Sequence, residues 1–121
     1  MTRTRDGDWV FCGLEQAIEG NDRVTRRRLL SRLVQFLSST DSAAPAFISG
    51  GGVRLLLAAA LDRDEEVRIP ALNALSWLVD AGYAEDIVSA GGLPLLRGLQ
   101  QDEALPVRQV ASRIMERLGK V

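Results

Sequence analysis

Apolar residues recur at helical spacing along most of the chain, and three long stretches carry the pattern. In the last, Val107, Val110, Ala111, Ile114, Met115 and Leu118 make one stripe, with Gln109, Ser112, Arg113, Glu116 and Arg117 between them. The first, running from about Asp22 to Ser39, has Leu29, Leu30, Leu33, Val34, Phe36 and Leu37 on one side and Arg23, Arg26, Arg27, Arg28 and Arg32 on the other. The middle stretch, 65–79, differs. Val67, Ala71, Ala74, Leu75 and Leu78 make the expected face, but Ile69, Leu72, Trp77 and Val79 put apolar groups on other sides as well. A helix apolar most of the way round is covered on more than one flank. Asp64 suits its N-cap, with Glu65 and Glu66 in the first turn, where the helix dipole favours acids. Pro70 falls beyond that turn and should remove one backbone bond and bend the helix.

The segments between the long stretches repeat. Residues 44–53 lie over 84–93 at an offset of forty, so that Gly51-Gly52 meets Gly91-Gly92 and Val53 meets Leu93. The same offset, without a gap, places Leu55-Leu56 on Leu95-Leu96, Asp62 on Asp102, Val67-Arg68 on Val107-Arg108 and Leu78 on Leu118. A period near forty with matching apolar positions is the mark of a solenoid. Each unit reads as a short helix (43–49, 83–90), a Gly pair allowing a turn with positive φ, a second helix (53–61, 93–100) and a long third helix (65–79, 104–119). Pro94 and Pro106 suit first turns. Before these units the sequence predicts a loose stretch, 1–7, a short helix from Asp8 closed by Gly20-Asn21, and Asp22 as cap of the next helix. The division is one domain, 8–121, made of an N-terminal cap unit (8–40), a central repeat (41–80) and a C-terminal repeat (81–121). Solenoids need polar outer faces on their end units and about three units for stability, and this order supplies both.

Composition narrows the chemistry. The chain has 121 residues, 46% apolar and only 5% aromatic, with a net charge of −1, which argues against a dedicated nucleic-acid or membrane-surface binder. There is no His and a single Cys, Cys12. That removes His bases, His metal sites, Cys/His nucleophile pairs and disulfides within the chain. The N-terminal residues have no apolar core of a signal peptide, and no apolar run approaches a membrane span, so the expected location is cytoplasmic or nuclear. Asp62, Asp64, Glu65 and Glu66 bunch carboxylates, yet turn and cap roles suffice for them. The Gly pairs are turn glycines, since no Gly-Lys-Ser/Thr follows.

Three helices per forty-odd residues, with Ala90-Gly-Gly-Leu-Pro-Leu-Leu96 opening a second helix, resemble the armadillo repeat family, as does Glu66-Val-Arg-Ile-Pro-Ala-Leu-Asn-Ala-Leu-Ser-Trp-Leu78 as its third helix. Residues 41–80 and 81–121 match well; residues 8–40 match as the last two helices of a unit, at an offset of about 41. HEAT repeats fit less well, lacking the short first helix and the Gly pair. The resemblance implies an all-α fold, a right-handed superhelix, with third helices lining a concave binding face and no catalytic activity or cofactor. It assigns to that face Arg32, Phe36, Asn73, Trp77, Arg113 and Arg117. The family's peptide binders carry an Asn late in the third helix and often a Trp one turn earlier. Here Trp77 occupies the Asn position and Asn73 the one before it, with Arg117 and Arg113 in the last unit, so the Asn ladder is missing. The expected function is therefore a non-enzymatic protein-interaction module that binds a peptide or partner helix, with Trp77 as anchor and Arg113 and Arg117 meeting acidic groups. Alternatives are an Hsp70 nucleotide-exchange co-chaperone, a nucleic-acid binder using the Arg23–Arg32 face, and a structural or designed repeat protein without a natural ligand; self-association through the solenoid ends is a further possibility.

Overall fold

A computed structural model describes residues 23–39 and 43–119. Among them are seven helices and no strand: α1 (Arg23–Ser39), α2 (Ala43–Ser49), α3 (Gly52–Ala59), α4 (Glu65–Asp80), α5 (Ala84–Ser89), α6 (Gly92–Leu99) and α7 (Leu105–Leu118). The all-α expectation holds, and the helices fall within a residue or two of the expected bounds. The helix expected from Asp8, its Gly20-Asn21 stop and the Asp22 cap lie outside the described residues.

The long helices form the body. α4 packs on α1 and on α7, while α3 and α6 back α4 and α7. Val67, Ala71, Leu72, Ala74, Leu75 and Leu78 are completely buried in α4. In α7 the buried set contracts to Val107, Ala111, Ile114 and Leu118, and Ser112, forty residues after Leu72, is exposed. The wide apolar belt on the middle helix thus reflects neighbours on two sides. α4 begins as expected: Asp64 accepts a hydrogen bond from the Glu66 amide, 2.9 Å. It then runs through Pro70, which is partly buried and lacks the N–H that would reach the Glu66 carbonyl.

The two glycines of each pair serve different ends. Gly51 and Gly91 have φ of 85° and 87°, the left-handed region that reverses the chain between short helices. Gly52 and Gly92 are ordinary helical residues whose lack of a side chain permits close packing, a role the positive-φ reading of the pair did not separate. A Cβ on Gly92 would lie 2.6 Å from Ile87 Cγ2 and 2.8 Å from the Ile87 carbonyl oxygen. Ile87 is fully buried and its backbone cannot yield, so Gly92→Ala is expected to cost about 1–3 kcal/mol through overpacking. Gly98, helical and exposed with nothing near its would-be Cβ, is the control. Gly98→Ala should gain up to about 1 kcal/mol from helix propensity. Urea unfolding of both variants checks the opposite signs.

Candidate interaction face and the buried arginine ladder

Of the six residues expected on one face, Asn73 in α4 is exposed and Trp77, one turn later, is partly buried against the core. Phe36 in α1 is likewise partly buried against the core, and Arg32 is exposed. Arg117 pairs with Asp80 at the end of α4, both side chains about half exposed. Arg113, also exposed, lines a cleft of about 500 Å³ with Gln100, Arg108, Gln109, Ser112 and Glu116. The two arginines of α7 therefore have different surroundings: Arg117 is tied to α4, while Arg113 sits beside Arg108.

A second constellation escaped the pattern analysis. Arg26, assigned to the polar side of its helix, is only 5% exposed, and Arg68 only 8%. Each meets an aspartate of the unit that follows: Arg26 Nε lies 2.7 Å from Asp62 Oδ2, and Arg68 Nε 3.1 Å from Asp102 Oδ2. At Nε both contacts are ion pairs by proximity and not directed hydrogen bonds, but Arg68 Nη2 does donate to Asp102 Oδ1, 3.2 Å. The aspartates also organise their own turns. Asp62 Oδ1 accepts from the Asp64 amide, 3.0 Å, and Asp102 Oδ1 from the Ala104 amide, 2.8 Å. The arginines then brace the turn of their own unit. Arg68 Nη1 donates to the carbonyls of Asp62 and Arg63, 2.8 and 2.9 Å, and Arg108 Nη1 to those of Asp102 and Glu103, 2.7 and 3.1 Å.

The result is a continuous ladder, Arg26–Asp62–Arg68–Asp102–Arg108, stitching each unit to the next. An opposite charge at close range to each buried arginine, with charge-assisted bonds from the Arg68 Nη atoms, is what makes such burial tolerable. The sequence did contain a signal: an Asp followed six residues later by an Arg, three times at the offset of forty (Asp22/Arg28, Asp62/Arg68, Asp102/Arg108). Extending the ladder to α1 needs an offset of 42 between Arg26 and Arg68, although Leu30, Leu33 and Leu37 stand 41 residues before the equally buried Ala71, Ala74 and Leu78.

The ladder also revises the basic run. Arg26 is committed to Asp62, and Arg27, exposed like Arg28 and Arg32, pairs with Glu66 on the surface. Three of the four bunched carboxylates are absorbed in the same way: Asp62 by Arg26, Asp64 by the helix cap, Glu66 by Arg27. Among the described residues no helix is long and apolar enough to cross a membrane.

The chain matches no family model, no curated protein and no solved structure.

Proposed function

We propose that the chain is a non-enzymatic interaction module of armadillo type, a right-handed superhelix of about three units that binds a peptide or partner helix across its long helices. One observation carries the reading: Trp77, a large aromatic on the only described helix packed against two other long helices, is held against the core at one edge and open at another, with Asn73 exposed one turn before it. A rigidly seated aromatic beside a polar amide is the arrangement that dominates interface energies, because it offers apolar area at little entropic cost. Phe36 in α1 is likewise partly buried against the core, and Arg117 is paired with Asp80 at the end of α4. The paired state of Arg117 shifts the expected role of meeting acidic groups toward Arg113.

The test is selection of binding peptides from a random display library, followed by affinity measurements on variants. Trp77→Ala should weaken the selected peptides at least tenfold, as removal of a central anchor of about 2 kcal/mol or more does, with far-UV circular dichroism unchanged. Peptides that bind Trp77→Ala as well as the parent chain would remove this face from consideration. The nucleic-acid reading is weaker for a physical reason: half of the run Arg26, Arg27, Arg28 and Arg32 is neutralised in place, by Asp62 and Glu66.

A further inference from the structure

We propose that Arg108, the last rung of the ladder among the described residues, is a docking point for a helical segment that presents an aspartate from the turn preceding its helix. The internal rung shows what Arg108 is built to do. Arg68 and Arg108 use Nη1 identically, each donating to two successive carbonyls of its own turn at 2.7–3.1 Å. In Arg68 the other edge of the guanidinium, Nε and Nη2, then meets both oxygens of Asp102. In Arg108 that same edge has no acceptor among the described residues, although the group is already held in the pose that receives one. Orientation fixed in advance removes much of the entropy a flexible arginine would lose on binding. The edge presented is the planar fork that suits a carboxylate and that lysine cannot reproduce.

The surroundings select the partner's character. Where α4 has the buried Leu72, α7 has the exposed Ser112, and Gln109 and Arg113 flank the same cleft beside Arg108. This face does not offer the apolar belt on which one more identical unit would stack. It offers a polar bed with two arginines, and its one carboxylate, Glu116, is itself engaged. An acidic segment complements it. The aspartate geometry is taken from the two internal rungs, where Oδ1 closes the aspartate's own turn and Oδ2 takes the arginine.

The probe is a synthetic peptide with the sequence of residues 58–71, which is acidic overall and carries such a turn aspartate at Asp62. It is titrated into the ¹⁵N-labelled full chain while the Arg108 Nε–H resonance is followed. The expected result is a saturable shift of that resonance, with affinity about tenfold or more weaker for the peptide carrying Asp62→Asn, in keeping with loss of a charge-assisted fork. In an Arg108→Gln chain the backbone amides around residue 108, which shift with the parent chain, should no longer respond to the peptide. Because that substitution also removes two bonds to the turn, the Asn peptide against the unaltered chain serves as the independent arm. Three outcomes overturn the proposal: no shift at millimolar peptide, equal shifts with both peptides, or the same shift produced by sodium acetate at matched concentration.

Discussion

Arg68→Ala is expected to lower the unfolding free energy by about 3–5 kcal/mol, the range for removing one partner of a buried ion pair. Asp102 would be left with a side chain only 12% exposed and without the cation that meets its carboxylate, and the carbonyls of Asp62 and Arg63 would lose their donor. A domain of this size has a stability of roughly 5–15 kcal/mol, so the loss is a large share of the whole. The comparison that isolates the pair is Arg108→Ala. It removes the same two carbonyl bonds without an ion pair and should cost only about 1–2 kcal/mol. The surface pair supplies a second contrast: Arg27 and Glu66 are 49% and 60% exposed, and Arg27→Ala should cost no more than about 1 kcal/mol. Urea denaturation of the three variants gives the order directly. Equal losses for Arg68→Ala and Arg108→Ala would show that the arginine braces its own turn and that the link between units contributes nothing. A double variant, Arg68→Met with Asp102→Asn, should lose less than the sum of its single changes, since neither orphaned charge remains.

The second large effect is expected at Leu72. Leu72→Ala should cost about 2–5 kcal/mol, the lost transfer free energy plus the cavity left behind. Ser112→Ala, at the matching position forty residues on, should change stability by no more than about 0.5 kcal/mol. Leu72 is completely buried while Ser112 is exposed, with only a long contact from Gln100 Nε2 to its Oγ at 3.5 Å. Equivalent repeat positions with opposite sensitivities follow from the packing, because among the described helices only α4 has long neighbours on both sides. Similar losses at both positions would mean that the face of α7 carrying Ser112 is covered in solution. That result would bear on Arg108 too, since both residues line the same cleft.

These expectations separate what a single sequence can and cannot disclose about this chain. The helices, their short-short-long order and the forty-residue offset were legible because each is a local matter. Apolar spacing near 3.6, a cap aspartate at Asp64 and a glycine pair act over one or two turns, and repetition at a fixed interval confirms them within the chain. The burial of Val67, Ala71, Ala74, Leu75 and Leu78 followed from the same spacing. Even the breadth of the belt on α4 could be read, since Leu72, Ile69 and Val79 have no reason to be apolar on an exposed side.

Arg26 and Arg68 were not legible, and the reason is physical. Periodicity sorts residues by side-chain polarity, so an arginine is assigned to water; its burial depends on a carboxylate that arrives from 36 or 34 residues further along the chain. Only the packing of one unit on the next brings Asp62 to Arg26 and Asp102 to Arg68, and only that meeting makes it tolerable to bury either charge. The same limit applies to the candidate face. The armadillo resemblance assigned Trp77 and Asn73 to a shared face, but which arginine of α7 is already paired and which stands open was decided by where Asp80 ends α4. What the sequence alone determined is the helices and their repetition. The tertiary structure decided which charges are spent holding the units together and which stand exposed.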